Sequence, residues 1–296
     1  MVIGIDIGYS YTKDSKGNIF PTCYTLTEPI IKGRENKITL DNIEYWVGTG
    51  NINVELNKTN STINKLSIIN CLYLNKINSP VRIVTGLPIN QYKNQKKQFK
   101  DIVMNMNGIS YFVEGRKYNI NIVDTFIFPQ CVSTLYTMNN KNLFHDIIIV
   151  DIGSRTVDIA YIVTENNNPR IIKYSTYYDG MYSLYSKLSK CINNRYNISL
   201  RSDDIENILQ NGLYIKGVKQ DINFLQDIMR EHYGDIFNEL SINYPTDISE
   251  MYMCGGGSHI IFNSFKKRYP HLQLIPNAQF SNANGYEIVG KTFWGE

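Results

Sequence analysis

Residues 2–7 read Val-Ile-Gly-Ile-Asp-Ile, a β-branched apolar run carrying one glycine and one aspartate. Such a run predicts a strand buried on both faces. "SKGN" at 15–18 marks a turn, and 19–26 returns as strand. "KITLDNIEYWVG" at 37–48 reads as two short strands around Asp-Asn, and "VRIVTGLP" at 81–88 as a core strand. "ISYFVEGRKYNINIVDTFIFPQ" at 109–130 predicts a hairpin turning at Glu-Gly and then a further strand. "DIIIVDIG" at 146–153, "TVDIAYIV" at 156–163, "RIIKYST" at 170–176, "EMYMC" at 250–254 and "LQLI" at 272–275 are strands by the same pattern.

Helical spacing appears between them. Apolar positions 63, 66, 68, 69, 72 and 74 predict a helix over 61–74, with Ser61 or Thr62 as its N-cap. Helices are also expected over 91–106, briefly over 130–138, over 181–193, 202–211 and 218–240, after the glycines at 255–257, and from 284 to 294. Strands of both kinds followed by helices argue for mixed sheets covered by helices, an α/β class.

One local unit occurs twice, about 145 positions apart: a buried strand ending in aspartate, then a glycine turn, then a second strand. The copies are "VIGIDIGYSYTK" at 2–13 and "IIIVDIGSRTVDIAYIV" at 147–163. The repeat suggests an internal duplication with one copy opening each half. Asp6 and Asp151 hold matching places, as do Gly8 and Gly153. A turn of this kind gathers backbone N–H groups into an anion-binding concavity. Lys13 begins the return strand, where its ammonium can reach the same anion; Ser154 and Thr156 add hydroxyls in the second copy. Either turn alone also reads as an ordinary hairpin. The two together suit a polyphosphate clamped from both sides, with the aspartates holding Mg²⁺ mostly through its waters.

A third feature supports a nucleotide. "MYMCGGGSHIIF" places Gly255, Gly256 and Gly257 between a strand and a helix. Consecutive glycines are costly in regular structure. Here they allow a flat ligand such as a nucleoside to approach the backbone beside a helix N-terminus capped by Ser258. Gly180, just before the helix over 181–193, is a candidate for approach to ribose or base, and Glu206 or Gln210 on the helix over 203–211 are candidates for base contacts.

Composition narrows the partners. The net charge is +3, too small to argue for direct nucleic-acid binding. The basic cluster "QYKNQKKQFK" at 91–100 reads as a solvated helix face. Five cysteines, at 23, 71, 131, 191 and 254, lack metal-type spacing and suit buried reduced thiols. His145, His232, His259 and His271 are scattered. No apolar run is long enough to span a membrane. A cytoplasmic protein is expected.

These residues resemble the actin, heat-shock chaperone and sugar kinase superfamily, whose two phosphate hairpins and adenosine glycine motif appear in order at 6–13, 151–158 and 255–258. "FPQCVSTLY" at 128–136 is similar to that superfamily's first interdomain helix, and Gln130 matches the residue that positions the hydrolytic water. Within it, "IGIDIGYSYTK", "VRIVTGLPINQY" at 81–92 and "NAQFSNANGYEIVG" at 277–290 look most like the ParM-type bacterial actins. The resemblance spans nearly the whole chain, except about 20–75 and 185–245.

The resemblance implies an actin-like fold of two duplicated α/β domains around a nucleotide cleft. Domain I would be 1–136 plus 279–296, with an outer subdomain at 20–75; domain II would be 137–278, with one at 185–245. It implies a bacterial ATPase, or GTPase, that assembles into filaments and segregates plasmid DNA through a ParR-like adaptor bound to a centromere-like site. Gln130 and Asp151 would serve catalysis, and Asp6 and Asp151 the Mg²⁺. Ser10, Tyr11, Thr12 and Lys13 would meet the phosphates from one side, and Ser154, Arg155 and Thr156 from the other. Tyr9 and Tyr11 are bulkier than the family's usual residues. Arg155 contacts a phosphate or points to solvent. A small-molecule kinase or a non-polymerising nucleotide switch of the same superfamily is the alternative.

Overall fold

The computed structural model describes residues 1–30, 33, 35–52, 62–138, 146–165 and 168–296. Ser61 and His145 lie outside them. The chain divides into two compact units: Met1–Asn139 with Gln279–Glu296, and Asn140–Ala278.

In the first unit, β1 (Val2–Ile7), β2 (Tyr11–Asp14) and β3 (Ile19–Pro21) form an antiparallel meander. The strand β4 (Cys23–Thr25) leaves that sheet for a second one, with β5 (Asn36–Leu40) and β6 (Ile43–Ile52). Asp41 and Asn42 both have positive φ (53° and 63°), the left-handed backbone conformation that Asp and Asn tolerate, which gives the β5–β6 hairpin its tight two-residue turn. The helix α1 (Thr62–Leu74) leads to β7 (Val81–Leu87), parallel to β1. Next come α2 (Ile89–Met104), β8 (Ser110–Val113), β9 (Arg116–Asn119) and β10 (Ile122–Pro129), the last parallel to β7. The main sheet order is β10-β7-β1-β2-β3, and the second sheet is β4-β6-β5-β8-β9. Lys93, Lys96 and Lys97 are exposed on α2, as a solvated basic face requires.

In the second unit, β11 (Ile147–Ile152), β12 (Val157–Glu165) and β13 (Asn168–Tyr177) again form an antiparallel meander. The helices α3 (Met181–Tyr196) and α4 (Ile205–Asn211) follow. The segment expected as one helix over 218–240 differs. It opens with β15 (Val218–Gln220), paired to β14 (Leu213–Ile215), and then splits into α5 (Leu225–His232) and α6 (Gly234–Asn243). Lys216 and Gly217, both at positive φ (50° and 80°), make a tight Lys-Gly turn that helical periodicity conceals. The unit closes with β16 (Glu250–Cys254), α7 (Ser258–Arg268) and β17 (Gln273–Leu274), in the sheet order β13-β12-β11-β16-β17.

The two main sheets share one topology. A meander contributes three strands, and two parallel strands are added beyond its first. The duplication visible in the sequence therefore extends to strand order. Each unit has its own core: Ile3, Ile5, Leu66 and Phe99 in the first, Ile148, Val150, Leu188 and Phe265 in the second. All five cysteines are free thiols, and only Cys191 is not fully buried.

The last helix, α8 (Ser281–Trp294), belongs to the first unit and packs on β1. Gly4 makes that possible: a Cβ there would collide with the Ala283 carbonyl oxygen and lie 2.8 Å from the Glu287 amide nitrogen, both helix backbone. Gly4→Ala should therefore destabilise the protein by about 1–3 kcal/mol through overpacking. Gly234→Ala, with open space around its Cβ at the start of α6, should be neutral or stabilising by up to about 1 kcal/mol. Urea denaturation of both variants checks the contrast.

Candidate functional site

Asp6 ends a strand whose every residue is buried, and it is itself only 3% exposed. A carboxylate so placed needs partners. The β1–β2 register sets Lys13 directly opposite it, and Lys13 Nζ donates to Asp6 Oδ2 at 3.2 Å. From the end of β10, Gln130 Nε2 donates to Asp6 Oδ1 at 2.9 Å. Parallel pairing of β10 to β7 and of β7 to β1 carries Gln130 to this point. Three predicted site residues, far apart in sequence, thus meet on one carboxylate.

The hairpin closes through Gly8, whose N–H donates to the Tyr11 carbonyl at 3.0 Å; a Cβ there would press on that oxygen at 2.6 Å. Ser10 is half-buried, and its carbonyl accepts the Thr22 N–H at 2.8 Å. Tyr11 is 44% exposed. The Thr12 side chain faces inward: its hydroxyl lies 2.9 Å from Thr22 Oγ1 and donates to Ser67 Oγ at 3.1 Å, fully buried. Alternation along β2 turns Lys13 one way and Thr12 the other, so of Thr12 only the backbone, not the hydroxyl, faces the Lys13 side of the hairpin.

The second hairpin repeats the first. Gly153 N–H donates to the Thr156 carbonyl at 2.8 Å, and Asp151, 7% exposed, pairs across with Asp158. Asp158 occupies the place Lys13 holds in the first copy. Its oxygens accept Thr156 Oγ1 at 3.1 Å and Thr176 Oγ1 at 2.6 Å. Thr156 is therefore tied to Asp158 and buried, while Ser154 and Arg155 are half-buried.

The carbonyls of this loop cap α3. Met181 N–H donates to the Gly153 carbonyl at 3.1 Å, Tyr182 N–H to Ser154 at 2.7 Å and Gly180 N–H to Arg155 at 3.2 Å. Gly180 is buried, and a Cβ there would sit 2.7 Å from the Gly153 oxygen and 2.8 Å from the Arg155 nitrogen. Gly180 thus lets α3 dock under the hairpin. Glu206 and Gln210 lie on α4, whose buried residues are Ile205 and Ile208.

The glycine run divides in the same manner. Gly255, at φ +87°, abuts the Asp151 carboxylate, and a Cβ there would overlap Asp151 Oδ1. Gly257 abuts Met181 and Ile152, and its N–H donates to the Ile152 carbonyl at 3.0 Å. Gly256 alone of the three is exposed. Ser258 is not the cap of α7: Gly257 holds that place, and Ser258 Oγ donates back to the Gly255 carbonyl at 2.7 Å from a fully buried position. Two of the three glycines thus serve internal packing, Gly255 against Asp151 and Gly257 against Met181 and Ile152, while Gly256 faces solvent.

Among the described residues, no cluster of three or more His, Cys, Asp or Glu could hold a metal ion. Asp6 in the first unit and Asp151 in the second each give one carboxylate before a glycine turn. A single carboxylate is the kind of donor Mg²⁺ takes, since it keeps several of its waters and adds phosphate oxygens. Sequence reasoning missed Asn282, which holds the loop after Gln130 by accepting Cys131 N–H at 3.0 Å and Ser133 Oγ at 2.7 Å. The "NAQFSNANG" stretch carried the signal but not the partner. Among the described residues, no helix is long and apolar enough to cross a membrane.

The second hairpin is also braced from α5. His232 Nε2 donates to the Asp179 carbonyl at 3.1 Å, beside Gly180, and Nδ1 accepts from Lys187 Nζ at 3.0 Å. Burial pushes the His232 pKa down; nearby Asp179 opposes this and Lys187 reinforces it. The folded pKa therefore lies below the unfolded one. This stability is complete above the ordinary value of about 6.5 and is lost as pH falls toward the folded value. Denaturation across that window should show wild type losing more stability on acidification than His232→Gln.

The comparisons agree with this architecture. A family model described as the N-terminal domain of actin-like proteins matches residues 4–132. A second, described as the C-terminal part of the MreB-like archaeal actin homologue, matches 149–267. A search of curated protein sequences finds no match. Among solved structures, a 15-stranded ParM filament from Clostridium botulinum superposes with a TM-score of 0.81 at 22% identity, covering 99% of each chain. A non-polymerisable quadruple mutant of pCBH ParM gives 0.80 at 22% identity, with 99% of both chains covered. An archaeal actin homologue in complex with ADP gives 0.81 at 21%, covering 98% of this chain and 99% of its own. With an actin-like family model on each unit and the same fold throughout, the chain belongs to the actin-like proteins.

Proposed function

We propose that this actin-like chain is a Mg²⁺-dependent ATPase that polymerises on binding nucleotide and segregates plasmid DNA in a bacterial cytoplasm. One observation carries the reading: the buried Asp6 carboxylate is shared by a lysine and a glutamine amide. Phosphoryl transfer to water needs charge neutralisation and a positioned water more than covalent chemistry. Lys13 supplies a cation for the phosphates. Gln130 orients the attacking water, which a neutral amide does without removing a proton outright. Asp6 and Asp151 would hold Mg²⁺ through its waters, and the ion would offset charge on the phosphate oxygens.

In this reading the backbone of the two glycine turns, with Gly8 and Gly153, meets the phosphates, aided by Ser10, Tyr11, Ser154 and Arg155. Gly256 lies nearest the nucleoside. Self-association is head-to-tail, since a filament requires contacts that do not close. The solved ParM filament among its structural neighbours supports assembly, and the ADP complex supports a nucleotide. A ParR-like adaptor would carry the link to centromere-like DNA, which agrees with the small net charge of +3. Whether ATP or GTP is preferred follows from the same assay.

Light scattering recorded together with phosphate release, after adding Mg-ATP or Mg-GTP over a protein concentration series, tests this. Scatter should rise only above a threshold concentration, with phosphate lagging behind it. Steady hydrolysis without scatter at any concentration, or transfer of phosphate to a small-molecule acceptor, would overturn the filament reading.

Two substitutions should separate the roles. Gln130→Ala should lower phosphate release roughly 100-fold while nucleotide affinity holds, because it misplaces only the water. Lys13→Ala should weaken nucleotide binding by about 1.5–3 kcal/mol, the usual worth of a hydrogen bond to a charged group. Equilibrium titration with a fluorescent nucleotide, alongside single-turnover hydrolysis, reads both effects.

A further inference from the structure

We propose that Asn282 is a positioning residue for Gln130, setting the hydrolysis rate by locking the turn that follows it. The inference rests on Gln130 being the water-orienting group. Gln130 leaves β10 with its N–H donated to the Leu87 carbonyl at 2.8 Å. Its own carbonyl accepts the Val132 N–H at 2.8 Å, an i to i+2 bond. The residue between them, Cys131, has φ +69° and ψ −55°. That is the rare form of the γ-turn, a strained conformation for any residue other than glycine.

Such a conformation persists only where its surroundings impose it. Here the constraint comes from α8. Asn282 is 7% exposed, and its Oδ1 accepts the N–H of Cys131 itself at 3.0 Å and the Ser133 hydroxyl at 2.7 Å. One residue further on, Thr134 Oγ1 donates to Ser281 Oγ at 3.2 Å. Three residues along the helix, Gly285 lets the Ser133 carbonyl come so close that a Cβ would overlap it. The short 3₁₀ turn at Val132–Thr137 is thereby held on α8 at successive residues, and a side-chain oxygen of α8 accepts the N–H of the strained residue.

Losing that acceptor has a directional consequence. Cys131 is fully buried, and the contact from Asn282 is one that favours its positive φ. Without it the turn can relax toward an ordinary φ. Gln130 gives its carbonyl to the same turn, so the relaxation is passed to the Gln130 backbone and displaces its amide from Asp6. Asn282 touches neither nucleotide nor Mg²⁺ in this account, so nucleotide affinity is not its readout.

The test is a double-mutant cycle on kcat and nucleotide affinity in the full chain, with Asn282→Ala, Asn282→Asp, Gln130→Ala and the pair Asn282→Ala/Gln130→Ala. Asn282→Ala should lower kcat roughly 100-fold, the cost of a misplaced reacting group, with affinity little changed and the melting temperature lowered by the lost buried hydrogen bonds. Asn282→Asp keeps the acceptor and should restore most of the rate. In the Gln130→Ala background the Asn282→Ala change should add almost nothing. An equal drop in both backgrounds, an unchanged kcat, or a loss of affinity that matches the loss of rate would overturn the proposal. Asn282→Leu keeps the volume without the acceptor and stands in if the alanine variant does not fold; failure of both to fold would make Asn282 a folding residue and overturn it.

Maleimide labelling of Cys131, mapped by mass spectrometry, separates this inference from the functional one. Faster labelling in the folded Asn282→Ala variant than in wild type supports the lock even if wild type hydrolyses no nucleotide, a result that would overturn the functional reading alone. Equal labelling overturns the lock.

Discussion

A carboxylate taken out of water is the constraint on which the first unit is built. Asp6 sits at 3% exposure, where an unpaired charge would cost several kcal/mol. Its partners arrive by two independent routes. Lys13 comes from the strand paired antiparallel to β1, and Gln130 from two strands away through parallel pairing. A one-residue slip in either register would turn its side chain to the other face and leave the charge uncompensated. The chemistry proposed for the site and the alignment of the sheet are therefore the same requirement. The substitutions that most disturb function should include some far from any ligand.

The second unit reuses the frame with different chemistry. Both hairpins close by the same N–H to carbonyl bond, Gly8 to Tyr11 and Gly153 to Thr156. Opposite the strand-end aspartate, however, stand Lys13 in one and Asp158 in the other. The first hairpin brings its own cation. The second holds two facing carboxylates, of which Asp158 is engaged by Thr156 and Thr176. Like charges placed directly opposite are unfavourable, so the second hairpin gains from a cation near Asp151. The two copies therefore differ in charge, one carrying a lysine and the other an aspartate opposite the same position.

Much of this was legible in the sequence. The buried β-branched runs gave both sheets, because strands buried on two faces have little alternative pattern. The paired Asp-x-Gly turns identified both hairpins; that Asp6, Lys13 and Gln130 converge is what the strand registers add. What was not legible has physical causes. Spacing does not show which face of a strand a residue occupies, so the inward turn of the Thr12 side chain left no sign. Gly180, Gly255 and Gly257 read as close approaches in the sequence, and the fold adds the Gly153–Arg155 backbone, Asp151 and Met181 as what they approach. A glycine marks close approach without saying by what. Ser258 was read as a cap from its type alone and instead donates to the Gly255 carbonyl. The strained turn at Cys131 left no local trace, since what imposes it lies 151 residues away on α8.

The central claim is that the buried Asp6 carboxylate is where the metal and the phosphates of a nucleotide are received. Calorimetric titration of ATP into wild type and Asp6→Asn, each with Mg²⁺ and with excess EDTA, addresses it most directly. The account predicts that wild type binds far more tightly with Mg²⁺ than without, and that Asp6→Asn remains folded but loses most of that difference. An Asp6→Asn protein that binds Mg-ATP as tightly as wild type, with the same dependence on Mg²⁺, would contradict it.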